Sequence, residues 1–177
     1  MKIINKNIGL DILKQVYKIH QKKLGNGYLG FDSFKQASKQ GNLYVAIDKD
    51  KILGYLRINL CAEKEFFVDE KVDLEGEDIP VLVLNTCATK EEGHGVGTHL
   101  VSHVIKKFRA NVNKIYSPVW SHEGIVNAHK LLSKFNLYPL YTFKNFWYED
   151  SIGKEDFCPI CGSPCKCDMI IYCNEMK

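Results

Sequence analysis

Three alternating glycines follow the most apolar stretch of the chain and precede a helical pattern. They are Gly93, Gly95 and Gly97, and the apolar stretch ends near Cys87. Glycine lets a backbone approach a ligand without a Cβ clash, and the first turn of a helix presents N–H groups that have no acceptor in the helix itself. This arrangement predicts a loop whose main-chain amides bind a phosphate group.

The spacing of this glycine loop excludes two common nucleotide loops. A P-loop ends in Gly-Lys followed by Ser or Thr, whereas Gly97 is followed directly by Thr98. A dinucleotide loop has the pattern G-x-G-x-x-G with an acidic residue about 20 positions later, whereas here the pattern is G-x-G-x-G and Ser117 occupies the later position. A plain glycine-rich turn between a strand and a helix is the alternative interpretation.

Four cysteines lie within ten residues near the C-terminus: Cys158, Cys161, Cys165 and Cys167. A Cys-x-x-Cys pair followed by a Cys-x-Cys pair can present four thiolates to one ion. A disulfide framework is the alternative, but the N-terminal residues lack the apolar stretch of a signal peptide, and cytosolic thiols are normally kept reduced. The spacing predicts a structural zinc knuckle with four cysteine ligands over residues 157–168.

Composition indicates a globular cytoplasmic protein. The chain has 177 residues, 45% of them hydrophobic, and 24 basic against 21 acidic residues give a net charge of +3. This balance gives no basic face for nucleic acid and no reason for membrane attraction, and no apolar run approaches the roughly 18 residues of a transmembrane helix. We expect one domain over residues 1–177, without a nucleic-acid or membrane partner.

Strands and helices alternate along the chain and position these motifs. Predicted strands cover 1–4, 43–47, 52–60, 79–87, 114–120, 138–148 and 169–172, and predicted helices cover 8–23, 32–40, 97–110 and 124–135. The strand 79–87 is apolar throughout, as is typical of a strand covered on both faces. The pattern predicts an α/β (α+β) fold, a mixed central sheet flanked by helices with the cysteine knuckle between the last two strands.

The strand, the glycine loop and the order of elements resemble the GNAT family of N-acetyltransferases over nearly the whole chain. The coenzyme loop of that family reads Arg/Gln-x-x-Gly-x-Gly/Ala, and Gly95-Val96-Gly97 matches its end. A later family helix, roughly Ala-x-x-Leu-Tyr-x-Lys-x-Gly-Phe, is matched in part by Ala128, Leu131 and Lys134. Glu92 stands where the family has Arg or Gln.

The resemblance implies acetyl-CoA as co-substrate. The backbone of Cys87, Ala88 and Thr89 would pair with the pantetheine arm. The main chain of the following loop would hold the pyrophosphate, through Glu92, Gly93, His94, Gly95, Val96, Gly97 and Thr98. The hairpin that carries the knuckle borders the acceptor site in this family, so that zinc would rigidify a substrate-facing loop.

Catalytic residues are less clearly indicated. Acetylation of an amine requires a neutral amine, and the predicted central strand has no carboxylate to deprotonate it. His122 is the candidate base, Asn85 the candidate to position a water, and Tyr138 or Tyr141 the candidate acid, because Leu132 stands where the family often has a tyrosine. A solvated loop histidine and packed strand tyrosines are the alternative interpretations.

Three function classes follow from these motifs. The first is an N-acetyltransferase that moves acetyl from acetyl-CoA directly to a primary amine of a small molecule or peptide, with a homodimer possible. The second is a non-catalytic acyl-CoA-binding regulatory module, and the third is a zinc-dependent module that binds protein or nucleic acid. Eight acidic residues within 63–78 form either an attractor for a cationic amine or a solvated loop.

Overall fold

A mixed β-sheet organises the molecule. The computed structural model describes residues 1–27, 29–61, 80–155 and 157–175, so the acidic stretch 63–78 lies outside the described residues. Within them the strands are β1 (Lys2–Ile4), β2 (Leu43–Asp48), β3 (Lys51–Cys61), β4 (Val81–Thr89), β5 (Lys114–Ser121), β6 (Tyr138–Phe143) and β7 (Asp168–Glu175). Their order across the sheet is β1-β2-β3-β4-β5-β7-β6. The predicted mixed sheet is confirmed.

Helices cover both faces of this sheet. They are α1 (Leu10–Leu24), α2 (Phe31–Lys39), α3 (Val96–Phe108), and the short α4 (His129–Leu132) and α5 (Tyr148–Ser151). Leu100 of α3 packs in one apolar cluster with Leu82 of β4, whereas Val16 of α1 and Phe34 of α2 pack in a second cluster with Val45 of β2. Among the described residues, no helix combines the length and the apolar character needed to span a membrane.

The central strand β4 is buried on both faces, as its apolar sequence predicts. Its residues from Val81 to Leu84 are at most 3% exposed. β4 and β5 run parallel and pair over three positions, the last of which joins Val83 to Tyr116. Both strands continue beyond this point without pairing to each other, so that, apart from the Leu84 carbonyl that Ser117 contacts, their facing edges can offer main-chain groups to a ligand.

A β-bulge lies where the two strands part. Arg57 and Ile58 of β3 pair with Thr86 and Leu84, so that Asn85 is the extra residue in β4. An extra residue shifts the alternation of side chains by one position. Cys87 consequently packs against the same cluster as Leu84, on the α3 face of the sheet.

The predicted helix 124–135 is too long. Glu123 and Gly124 have φ values of +49° and +80°, and they form a tight turn in which the N–H groups of His122 and Ile125 each donate to the other residue's carbonyl. Two consecutive positive φ values are typical of a hairpin turn and incompatible with a right-handed helix. Regular helix therefore begins only at His129 and is followed by a 3₁₀ turn, Ser133–Phe135.

The predicted strand 138–148 is also too long, because β6 ends at Phe143. Asn145 adopts a left-handed conformation with φ +50°, and its N–H donates to Asp168 Oδ1 at 3.1 Å. Lys144 Nζ lies 2.6 Å from the other carboxylate oxygen of Asp168. This turn leads into α5, so the aromatic residues at 146–148 follow the strand instead of belonging to it.

Candidate active site

A cavity of about 140 Å³ lies where β4 and β5 separate. Val101 of α3 and Leu131 of α4 line it on one face of the sheet. Leu24 of α1, Trp147 and Phe157 line it on the other. Side chains from both faces of the sheet contribute to this cavity, which we call the strand channel.

Asn85 provides a fixed polar group in the wall of the strand channel. Its Oδ1 accepts hydrogen bonds from Arg57 Nη1 and from Thr86 Oγ1, both at 2.8 Å. Two donors on this oxygen fix the orientation of the amide and leave the Nδ2 group to donate elsewhere. Asn85 is only 8% exposed, so its hydrogen bonds form in a site largely protected from water.

Ser117 links the two strands in the wall of the channel. Its Oγ donates to the carbonyl of Leu84 at 3.1 Å, across the gap where main-chain pairing has stopped. Sequence reasoning missed this role and also that of Trp120, which lines the channel further along β5. A serine between the apolar residues Tyr116 and Pro118 of a buried strand is the signal that could have indicated Ser117.

The part of the channel wall that the structure describes holds no carboxylate, amine or imidazole. Its thiol at Cys87 is the titratable group closest to the glycine loop along the chain, and burial raises the pKa of this thiol to about 12. The thiol is therefore neutral at pH 7 and is a weak nucleophile.

The glycine loop places two of its three glycines in the left-handed region. Gly93 and Gly95 have φ values of +83° and +73°, and α3 begins directly after Gly95. The N–H of His99 donates to the carbonyl of Gly95, so the hydrogen bonds of the helix start at this turn. A Cβ at Gly97 would lie 3.3 Å from Leu131, so glycine there allows the first turn of α3 to approach α4 closely.

Glu92 is paired with a cation from the end of α1. Lys23 Nζ lies 3.0 Å from Glu92 Oε1, and the two side chains are 29% and 83% exposed. The lysine offsets the negative charge that the sequence places beside the predicted pyrophosphate site. Because the carboxylate is well exposed, water and salt also weaken its field.

The four clustered cysteines converge on one point between β6 and β7, as predicted. Their Sγ atoms lie within 4.8 Å of one another, and three of the pairs are 3.6–3.8 Å apart. A tetrahedral ion with Zn–S bonds of about 2.3 Å requires S–S distances of about 3.8 Å. The residues therefore fit a tetrahedral thiolate metal site, which we call the four-cysteine site.

Two neighbouring groups contact the sulfur atoms of the four-cysteine site. The N–H of Lys166 donates to Cys161 Sγ at 3.2 Å, and His122 Nδ1 lies 3.7 Å from Cys167 Sγ. Burial raises the pKa of the Cys165 thiol to about 12, so that a cation is needed to replace its proton at neutral pH. N–H groups around the sulfurs stabilise thiolates once they form.

The structure places the predicted catalytic residues in different surroundings. Asn85 lines the strand channel, whereas His122 stands beside the four-cysteine site. Tyr138 and Tyr141 lie on the edge strand β6, are 57% and 45% exposed, and do not line the described wall of the channel. The catalytic roles of all four residues stay predictions.

A mixed sheet whose parallel central strands part beside a glycine loop is the fold of the GNAT acetyltransferases. No family model and no curated protein matches the chain. Solved structures do match, and Arabidopsis thaliana NAA60 in complex with acetyl-CoA has a TM-score of 0.70 and 13% identity, with 99% of each chain covered.

Two bacterial structures agree with this assignment. The ribosomal-protein-S18-alanine N-acetyltransferase from Escherichia coli has a TM-score of 0.64 and 14% identity, covering 99% of this chain and 94% of its own. A GNAT-family acetyltransferase from Desulfovibrio desulfuricans has a TM-score of 0.65 and 12% identity, with 99% of each chain covered. These matches confirm the resemblance at the level of the fold.

Proposed function

We propose that the protein is an N-acetyltransferase that moves an acetyl group from acetyl-CoA to a primary amine. The observation that carries this proposal is the strand channel, which opens where β4 and β5 stop pairing after Val83 and Tyr116. β4 ends at Thr89, shortly before the left-handed glycines Gly93 and Gly95. A coenzyme held along this path would carry its thioester into the channel.

Main-chain groups would hold the coenzyme. The segment from Cys87 to Thr89 pairs with β3 on one edge of β4, and its other edge faces the gap left by β5, where it can pair with the pantetheine arm. The amides of Val96, Gly97 and Thr98 point out of the first turn of α3 toward the proposed pyrophosphate position. A β4 N–H at the gap would also stabilise negative charge on the thioester oxygen.

Transfer would be direct from the coenzyme to the amine. The amine nitrogen attacks the thioester carbon, the C–S bond breaks, the ammonium proton passes to water, and the coenzyme thiolate takes a proton. The buried thiol at Cys87 is protonated at neutral pH because its pKa is about 12, which disfavours an acetyl-enzyme at this residue. Asn85 Nδ2 would position the water or the incoming amine.

An α-amine of a peptide is the acceptor that suits this channel best. The described wall offers no base, so the acceptor must itself supply neutral amine. A lysine side chain with a pKa near 10.4 is neutral on the order of 200-fold less often at pH 7 than an α-amine with a pKa near 8. The names of similar structures support this class, since one was solved with Gag peptide and CoA and another is a ribosomal-protein-alanine N-acetyltransferase.

We infer that the four-cysteine site holds zinc as a structural ion. Four thiolates leave no coordination position open, and they suit a reducing compartment such as the cytoplasm. Metal analysis of protein purified without chelator should find about one zinc ion per chain. Protein that folds without any metal would contradict the inference.

The function is tested with two matched peptides and acetyl-CoA. One peptide has a free α-amine and no lysine, and the other has a blocked N-terminus and one lysine. We expect thiol release and a mass increase of one acetyl group with the first peptide only. Calorimetry should detect binding of CoA to the protein alone.

Other results of these binding and turnover measurements would favour an alternative function or refute the proposal. Coenzyme binding without thiol release across an amine panel would favour the non-catalytic module, which is also consistent with the lack of a base in the described wall. No heat with either CoA or acetyl-CoA would refute the proposal. Asn85→Ala, His122→Ala, Tyr138→Phe and Tyr141→Phe test the four predicted catalytic residues by their turnover rates.

A further inference from the structure

The four-cysteine site and the strand channel share residues. Cys158, Cys165 and Cys167 line the channel, and so do Phe157 and Pro159, which flank the first ligand. The sulfur atoms are directed to one another, so an ion there would fix the chain positions on both sides of Cys158. The metal site is therefore part of the channel wall as well as a link between strands.

The wall formed by this segment lies on the side of the sheet opposite α3. Phe157 is 5% exposed and packs in a cluster with Trp120 and Trp147. It also fills the space beside Gly25 and Gly27, where a Cβ on either glycine would overlap it. Phe157 thus joins the loop after α1 to the metal site and encloses the channel on the face of the sheet opposite α3.

We propose that the four-cysteine metal site builds the acceptor end of the channel, so that metal occupancy sets affinity for the amine acceptor and leaves coenzyme affinity unchanged. This inference rests on the proposed acetyltransferase function. The coenzyme end is formed by α3, α4 and the glycine loop, none of which contributes a sulfur ligand. Without metal, Phe157 and Pro159 lose their fixed position and the acceptor pocket loses its wall.

The apolar character of this wall also indicates what the pocket accepts. Phe157, Pro159, Trp147 and Leu24 surround the acceptor end. An acceptor side chain that reaches them is desolvated, and this favours an apolar first residue next to the α-amine over a charged one. Leucine-initiated peptides should therefore be acetylated with a lower KM than aspartate-initiated peptides of the same length.

Intrinsic fluorescence reports directly on this coupling. The two tryptophans of the chain, Trp120 and Trp147, both pack against the cluster that contains the four-cysteine site. Titration of metal-free protein with Zn²⁺ should change their emission with a stoichiometry of about one. Co²⁺ in place of Zn²⁺ should give thiolate charge-transfer absorption and quench the same tryptophans.

The decisive experiment compares metal-loaded and metal-free protein with CoA and with the leucine-initiated peptide. We expect equal CoA affinity in calorimetry and an acceptor KM that is about tenfold higher without metal. Since metal-free protein can unfold, Phe157→Ala with its four cysteines intact provides a second test. It should retain metal and CoA affinity and raise the acceptor KM by a similar factor.

Ile160→Ala is the matched control, because Ile160 lies between two ligands, is 48% exposed and does not line the channel. It should leave the acceptor KM unchanged. An unchanged acceptor KM in Phe157→Ala, or fluorescence that does not respond to the metal, would overturn the inference. Absence of CoA binding in the loaded protein would instead refute the acetyltransferase function on which it rests.

Discussion

The proposed coenzyme loop and the four-cysteine site differ in the groups that they offer to a ligand. The loop would bind through backbone amides; it contains two left-handed glycines, Gly93 and Gly95, and is exposed. The four-cysteine site uses side chains, and its ligands Cys165 and Cys167 are at most 2% exposed. A backbone site tolerates many side chains but no change of conformation, whereas a thiolate site tolerates no change of ligand.

The two ends of the strand channel therefore depend on different structural features. The proposed coenzyme end would depend on the φ angles of a few residues. The proposed acceptor end would depend on an ion that fixes a segment with almost no regular structure of its own. A substitution at one end should therefore leave ligand binding at the other end unchanged. Each proposed role can then be tested by itself.

The largest expected effect comes from removing two metal ligands with Cys161→Ser/Cys165→Ser. The variant should lose its metal, and Tm should fall by about 10 °C, because loss of roughly 3 kcal/mol lowers the Tm of a domain this size by about that amount. CoA affinity should remain. Metal analysis, thermal unfolding and calorimetry measure these three quantities.

Cys173→Ser is the control for that variant. Cys173 lies on β7 outside the four-cysteine site, and its Sγ donates to a main-chain carbonyl. It should keep about one ion per chain. If both variants keep their metal, the four-cysteine site does not hold it.

The next effect is expected at the coenzyme end, with Gly95→Ala. A non-glycine residue at φ +73° costs about 1–2 kcal/mol, and no protein atom lies within 4 Å of the new Cβ. We expect about tenfold weaker CoA binding in calorimetry. The metal content and its fluorescence signal should not change.

Gly41→Ala controls for strain, because Gly41 also has φ +73° and also has open space at its Cβ position. It lies between α2 and β2, away from the loop. Both variants should lose similar stability, and only Gly95→Ala should lose CoA affinity. Equal CoA affinity in the two variants would exclude the loop as the coenzyme site.

A third effect concerns protein stability in acid. It separates the contribution of His20, in the apolar cluster under α1, from the contribution of the four-cysteine site. Burial, together with the nearby Arg57 cation, lowers the pKa of His20 to about 4, and its Nδ1 lies 2.7 Å from Tyr55 Oη. The folded state thus disfavours the charged histidine. Its stabilising contribution is complete above about pH 6.5 and is lost as the pH falls toward 4.

His20→Gln should flatten the dependence of Tm on pH between about 6.5 and 4. Acid also protonates the thiolates of the four-cysteine site, so cobalt absorption followed over the same range measures metal loss separately. His94→Gln changes an exposed histidine of the loop, 69% exposed, and should keep the wild-type profile. A His20→Gln profile identical to wild type would contradict the assignment.

The smallest effect is expected from the charge at Glu92. Removing it with Glu92→Gln should tighten CoA binding by about two- to threefold at low salt and less at high salt, because exposed charges are strongly screened. Glu149→Gln makes the same charge change on α5 and should have no effect. Weaker binding in Glu92→Gln would show that the carboxylate helps the loop through Lys23.

Motifs confined to a few consecutive residues were predicted well. The convergence of four cysteines and the buried strand β4 each follow from local spacing, because ligand number and apolar runs act at short range. Errors arose where distant or turn residues decide the conformation. Asp168 ends β6 by holding Asn145, and the turn at Glu123 and Gly124 delays α4.

The sequence by itself predicted a main-chain anion loop, a four-cysteine site and a sheet to hold them, and the structure confirms the cysteine cluster and the sheet. Only the tertiary structure decided that the thiolate site lies in the wall of the strand channel and that His122 stands beside it. It also decided that Asn85 bulges at the point where β4 leaves β5. These relations join residues that are distant along the chain, and side-chain spacing carries no information about which distant segments pack together.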